Sequence, residues 1–283
     1  MTERAARRLG LVQMPCSSDR GANFARAAAL ARRAREAGCS LVALQELFAG
    51  IYFPQYLESR HYELAEPIPG PSFDFLSALA RELGVVLVGS LYERHMEGVY
   101  YNTALVFRED GSLVGKARKM HIPDGPQYCE KYYFTPGDTG YPVFDTSFGR
   151  IAVPTCWDQW FPELARIYAL EGAELILYPT AIGDEPEHPE LSTADAWETM
   201  IRSHAIANGC FVAAVNRVGR EDRMSFYGNS FVADPLGRIL AKAGSVEQVV
   251  VADLDPGAIR ATRDMLQMLR DRRPETYGRL LAR

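Results

Sequence analysis

The sequence predicts a mixed α/β protein in four layers, an αββα sandwich of two stacked mixed sheets with helices on the outer faces. Three observations lead to it. Nine short apolar runs rich in branched residues read as strands, amphipathic helical stretches separate some of them, and Asp and Gly punctuation marks hairpins between others. Nine strands exceed what one twisted sheet comfortably holds, so two stacked sheets are the simplest arrangement.

In chain order the strand candidates are LGLVQM at 9–14, SLVALQE at 40–46, GVVLVGSLYE at 84–93, TALVFRE at 103–109 and RIAVPTC at 150–156. They continue with AELILYP at 173–179, CFVAAVN at 210–216, NSFVADP at 229–235 and QVVVADL at 248–254. Between the first strands, NFARAAALARRAREAG at 23–38 has the 3.6-residue period of an amphipathic helix and ends at Gly38, and PSFDFLSALARELG at 71–84 ends likewise at Gly84. Each leads straight into a strand. REDGSLVG at 108–115 and ADPLGRIL at 233–240 read as hairpin turns, so antiparallel pairs mix with βαβ crossovers. No internal repeat, low-complexity segment or linker divides the chain, and residues 1–283 read as one domain. PIPGP at 67–71 is a surface turn. The final stretch, MLRDRRPETYGRLLAR within residues 265–283, is basic and runs over the surface or onto a partner subunit.

The composition, 47% hydrophobic and 24% charged, is that of a globular protein with a sizeable core. No apolar run approaches the roughly 20 residues that cross a bilayer, and MTERAARRLG lacks the features of a signal peptide, which places the chain in the cytoplasm with no membrane partner. The net charge is −5, and Lys and Arg are scattered, so nucleic acid is not an expected partner. Cys16, Cys39, Cys129, Cys156 and Cys210 lie far apart with no C-x-x-C pair, which argues against a zinc site and a disulfide framework. Packing or nucleophilic roles are left for them.

Three residues stand where strands end. Cys156 follows RIAVPT and precedes WDQWF and the helix of PELARIYALEG, a strand-to-helix elbow that holds a side chain outward and favours thiol ionisation. The competing reading is a buried structural cysteine, and the other four cysteines receive that reading. Glu46 ends SLVALQE, where a carboxylate is suited to take a proton from a thiol and return it to a leaving amine; otherwise it is a solvated strand-end acid. Lys119 follows a strand too, and its competing reading is a surface lysine in a cluster with Lys116 and Arg118.

LQELF around Glu46, GKARKMHIPD around Lys119 and CWDQWFPE around Cys156 resemble the three segments that carry the Glu-Lys-Cys triad of the nitrilase superfamily of carbon–nitrogen hydrolases. The resemblance spans essentially the whole chain and implies the same αββα fold. It further implies that Glu130, eleven positions beyond Lys119, is a second glutamate that positions lysine and substrate; a loop acid paired with Lys131 is the alternative. RRPETYG resembles the family's C-terminal segment that crosses to a neighbouring subunit, so a homo-oligomer built from dimers is implied. His121 is read as structural.

The implied chemistry is attack by Cys156 on an amide or ureido carbon, with Glu46 as base and with Lys119 and the Trp157 N–H receiving the oxyanion; it needs no metal or organic cofactor. LQELFAGIYF, HIPDGPQYCEKYYFTPGDTG, CWDQWFPE and LYPTAIGDEP look most like the branch that hydrolyses carbamoylated diamines such as N-carbamoylputrescine. The expected partner is therefore a small-molecule carbamoylated amine. Its cationic end favours acids or aromatic walls, for which GDEPEHPE at 183–190 offers Glu185 and Glu187, and Tyr52, Trp157 and Trp160 offer rings. The same triad also serves N-carbamoyl β-amino acids, with Arg217 as a partner for their carboxylate, and nitriles. Acyl transfer and a non-catalytic binding role are the readings from other classes.

Overall fold

Strands form where β-branched and aromatic residues cluster, and the computed structural model describes residues 7–282. In chain order the strands are β1 (Arg7–Gln13), β2 (Leu41–Leu44), β3 (Val86–Met96), β4 (Val99–Phe107), β5 (Leu113–Arg118), β6 (Val143–Thr146) and β7 (Gly149–Ala152). They continue with β8 (Leu175–Pro179), β9 (Phe211–Val215), β10 (Val218–Glu221), β11 (Met224–Tyr227), β12 (Phe231–Ala233), β13 (Ile239–Lys242) and β14 (Gln248–Leu254). The helices are α1 (Arg20–Glu36), α2 (Pro71–Leu83), α3 (Pro162–Leu170), α4 (Ala194–Asn208) and α5 (Pro256–Leu266).

Two six-stranded sheets result, ordered β14-β1-β2-β3-β4-β5 and β6-β7-β8-β9-β12-β13. Their pairings follow one pattern. An antiparallel edge pair comes first, then two parallel pairs, then two antiparallel pairs. The parallel strands alternate with helices, α1 and α2 in the first sheet and α3 and α4 in the second. Side chains at alternate positions then face opposite layers. Leu41 and Ala43 of β2 and Leu175 and Leu177 of β8 join the core between the sheets. Val42 and Leu44 pack under α1 and α2, and Ile176 and Tyr178 under α3 and α4. Burial on both faces explains why these strands read as unbroken apolar runs. The four-layer mixed sandwich expected from strand count is the fold observed.

Both hairpins form, as β4-β5 and β12-β13, and α2 ends on Gly84 in the left-handed conformation (φ 59°) that caps helices. The two strands that lead to Glu46 and Cys156 stop short of expectation. SLVALQE is strand only to Leu44, and RIAVPTC only to Ala152, because Pro154 has no N–H to extend the ladder. Glu46 and Cys156 therefore sit in the turns beyond the strands, at the C-terminal ends of parallel strands β2 and β7, and Lys119 directly follows β5. The segment after α5 is half-buried at 267–269 and mostly exposed beyond, with Leu280 and Leu281 in solvent.

Candidate active site

Cys156 opens a 3-10 turn, Cys156–Trp160, in the left-handed region at φ 45°, an uncommon conformation for any residue but glycine. Asp158 holds the turn. Its carboxylate accepts from the Thr155 N–H at 3.0 Å and from the His121 N–H at 2.9 Å, and lies 2.8 Å from His121 Nδ1. His121 also stacks on Phe161 at 3.7 Å. This residue therefore ties the segment after Lys119 to the turn of Cys156. From α4, the buried His204 lies with Nε2 2.8 Å from the Gln159 carbonyl oxygen, and burial lowers its pKa.

Glu46 is fully buried. Its Oε1 accepts from Asn102 Nδ2 at 2.6 Å and from Lys119 Nζ at 3.0 Å, while Oε2 has no hydrogen-bond partner. The next residue, Leu47, lies at φ 49° and donates its N–H to Ser90 Oγ. Lys119 is buried as well, and its Nζ stands 2.5 Å from Glu130 Oε2. Glu130 Oε1 in turn accepts from the Tyr52 hydroxyl at 2.7 Å. The surface readings of Lys119 and Glu130 are thereby excluded. Cys156 Sγ and one oxygen from each of Glu46 and Glu130 lie within 4.8 Å of one another, a spacing three donors to a cation also show. Here the Lys119 ammonium already stands against both carboxylates.

Burial pushes the Cys156 thiol well above its ordinary pKa; the Glu46 carboxylate adds to the shift and Lys119 opposes it. The expectation that the elbow favours a thiolate is not met, because desolvation outweighs the turn. Burial also raises Glu130, to about 7, with Lys119 opposing and Glu46 adding. Lys119 would be lowered by burial, but the carboxylates of Glu130 and Glu46 hold it above its usual value as an ammonium. A protonated thiol, a nearby unpartnered carboxylate oxygen and a fixed cation are the components of nucleophilic attack with a general base and an oxyanion partner.

A cavity of about 340 Å³ opens at Cys156, bordered by Trp157, Trp160, Tyr128, Asp124 and Glu185. Burial raises the pKa of Glu185, and Asp184 adds to it. Glu187 is exposed and does not border the cavity. Tyr52 is no cavity wall either; it is fully buried against Glu130. Nor is Arg217 available to a substrate carboxylate. It is fully buried, paired with Glu221 at 2.6 Å, and donates to the carbonyls of Glu46, Leu47 and Gly50. Glu221 also accepts from the Tyr52 N–H, so this pair clamps the loop that carries both Glu46 and Tyr52. Sequence reasoning missed Asn102, Asp158, Asp124 and Gln159. The signals were a polar residue inside the apolar run VYYNTALVF and the acid and amide within CWDQW.

The model of the carbon-nitrogen hydrolase family matches residues 8–264. The chain is 44% identical over 280 residues to an N-carbamoylputrescine amidase of Solanum lycopersicum, covering 95% of this chain and 93% of that one. It is 37% identical over 280 residues to a citrullinase of Francisella tularensis, covering 97% and 98%. A crystal structure of a carbon-nitrogen hydrolase from Helicobacter pylori G27 superposes with a TM-score of 0.94 at 42% identity, covering 99% of both chains.

Proposed function

The chain belongs to the carbon-nitrogen hydrolase family and is a cysteine-dependent amidase, and from that premise we propose that it converts N-carbamoylputrescine to putrescine, ammonia and carbon dioxide. The observation that carries this reading is the charge of the cavity. Asp124 and Glu185 border it, and among its described lining residues there is no Lys, Arg or His. A substrate whose far end is an ammonium fits that wall, whereas the carboxylate of an N-carbamoyl β-amino acid meets repulsion.

In the proposed reaction Glu46 takes the thiol proton through its unpartnered Oε2, and Sγ of Cys156 attacks the ureido carbon. Lys119 and the Trp157 N–H, in the first turn after Cys156, receive the oxyanion. Glu46 protonates the departing ammonia, leaving a thiocarbamate on Cys156. Water, deprotonated by Glu46, then displaces the thiolate, which recovers its proton from Glu46; the released carbamate loses carbon dioxide. Glu130, held by Tyr52, fixes Lys119. Trp157 and Glu185 contact the substrate. The same reading takes residues 1–283 as one cytoplasmic domain. It has the tail at 265–283 covering its exposed Tyr277, Leu280 and Leu281 against a neighbouring subunit, in a homo-oligomer built from dimers.

Ammonia release from N-carbamoylputrescine, N-carbamoyl-β-alanine, citrulline, an aliphatic amide and a nitrile, each with a Cys156→Ala control, tests the proposal. The expected result is the highest kcat/KM for N-carbamoylputrescine, abolished in the control. Preference for N-carbamoyl-β-alanine overturns the substrate, and a new amide among the products identifies acyl transfer.

A further inference from the structure

Asn102 is fully buried on β4. Alternation along the strand puts it on the face of Ala104 and Val106, which pack in the apolar layer between the sheets. A polar side chain in such a row recovers the cost of burial only through hydrogen bonds, and that of Asn102 makes a single one. Its Nδ2 donates to Glu46 Oε1 at 2.6 Å, while its own Oδ1 has no partner among the described residues. The Asn102 main-chain carbonyl accepts the Lys119 N–H at 2.9 Å. One residue thus holds the base by its side chain and the cation by its backbone.

The two oxygens of Glu46 are made unequal by this contact. Oε1 faces both Asn102 and the Lys119 ammonium, at 2.6 and 3.0 Å, so its lone pairs are engaged, and Oε2 has no partner. The amide cannot be reversed, because its oxygen against Oε1 would set two acceptors together with no hydrogen between them. The last torsion of a glutamate side chain is broad and roughly two-fold, so a carboxylate held by one flexible lysine turns about it and exchanges its oxygens. A second donor, from the rigid strand β4, fixes the plane.

We infer, resting on the reading of Glu46 as the base, that Asn102 is the positioning residue for its proton transfer: the amide pins Oε1, leaves Oε2 to receive the Cys156 hydrogen, and favours the ionised carboxylate. The hydrogen passes from Sγ to a lone pair of Oε2, and the electron pair of the broken S–H bond stays on sulfur. Asn102 touches neither the thiol nor the substrate in this role. It acts through Glu46.

The test measures ammonia release from N-carbamoylputrescine against pH in wild type, Asn102→Leu, Asn102→Asp and Glu46→Gln. Asn102→Leu keeps the approximate size and removes the donor, so kcat should fall about 10- to 100-fold with KM little changed. Its acidic limb of kcat/KM should also move up by about one pH unit, because a carboxylate that loses a donor holds its proton more tightly. Asn102→Asp is closest in shape and sets a second carboxyl against Oε1. Protonated, that group donates as the amide does; ionised, it repels the base, so this variant should lose turnover as pH rises, and it keeps the test decisive if Asn102→Leu does not fold. Lys119, Glu130, Cys156, Tyr52 and Arg217, the charged or titratable groups around Glu46, are the same in both Asn102 variants and wild type, so a displaced limb reports Asn102. Alkylation of Cys156 by iodoacetamide, followed at that residue by mass spectrometry across the same pH range, reads the thiol without a substrate and should shift in the same directions. Folded variants whose profiles keep the wild-type shape and differ only in height overturn the inference, since a purely structural role produces that result. If Glu46→Gln keeps its kcat within threefold of wild type, the base reading fails and this inference with it; if Glu46→Gln is inactive while the Asn102 limbs stay in place, this inference alone fails. A wild type idle on N-carbamoylputrescine contradicts that substrate, and the alkylation profiles then decide the inference by the same shifts.

Discussion

Arg118 and Lys119 are neighbours at the end of β5, yet they enter two charge clusters of opposite character, the first reaching the surface at Asp138 and the second fully buried. Arg118 donates to both oxygens of Glu93, at 2.9 and 2.6 Å, and to Asp138 at 2.7 Å, while its guanidinium covers the Tyr101 ring at 3.7 Å. Lys116 and Thr103 complete the shell of Glu93, each at 2.6 Å. Two cations face two carboxylates. Burial would raise Glu93, but the bonds from Arg118, Lys116 and Thr103 outweigh it and draw the pKa to about 2. The cluster of Lys119 has one cation for two carboxylates, a free oxygen on Glu46, and a neighbouring acid, Glu130, raised to about 7. A cluster that serves structure is balanced and saturated. The cluster beside the thiol is left short of one cation and one hydrogen bond, and we propose that this deficit makes it reactive.

The largest contrast comes from removing each cation. Lys119→Met leaves two carboxylates buried without a counter-charge and deletes the proposed oxyanion partner, so kcat should fall by about 10³ or more, measured as ammonia release per folded molecule. Arg118→Met should instead lower unfolding free energy by about 3 kcal/mol, the low end for a broken buried pair because Lys116 remains, with kcat within threefold of wild type. Loss of turnover in a folded Arg118→Met protein contradicts the division.

A smaller effect is expected one bond further out. Tyr52→Phe removes the hydroxyl that fixes Glu130, and kcat should fall about tenfold while KM changes little. A change confined to KM returns Tyr52 to the role of a substrate wall.

The smallest effects lie in the pH dependence of stability, where the clusters have opposite signs. Glu93 is depressed below its ordinary 4.5, so its contribution is complete above that pH and is lost as pH falls through about 2. Glu130 is raised, so the folded state holds its proton longer, and this residue lowers stability as pH rises from about 4.5 to 7. Melting curves of Glu93→Gln and Glu130→Gln against wild type across this range should diverge in opposite directions; parallel curves contradict the contrast.

The sandwich was legible because its central strands are buried on both faces, and runs such as SLVALQE and AELILYP carry that burial in their composition. The short strands β6, β10 and β11 were not, since four partly exposed residues leave no pattern to read. α4 also escaped, although Trp197, Ile201 and Ala205 keep helical spacing, because polar residues crowd the positions between them. Glu46, Lys119 and Cys156 were legible as strand-end residues within recognisable segments. The contacts that tune them were not. Asn102 reaches Glu46 across 56 positions and Arg217 reaches it across 171, and no local signal reports which distant polar groups a fold will bring together. Tyr52 and Arg217 were misread for that reason, each being a plausible wall or anchor until its partner was seen.

We propose that the unpartnered oxygen of Glu46 supplies the proton transfer that a protonated Cys156 needs. Glu46→Gln removes that base while keeping the shape of the side chain, and its steady-state kcat for ammonia release from N-carbamoylputrescine is the most direct measurement. A fall of about 10³ is expected, with KM within a few-fold of wild type. A folded Glu46→Gln protein whose kcat stays within threefold of wild type contradicts it.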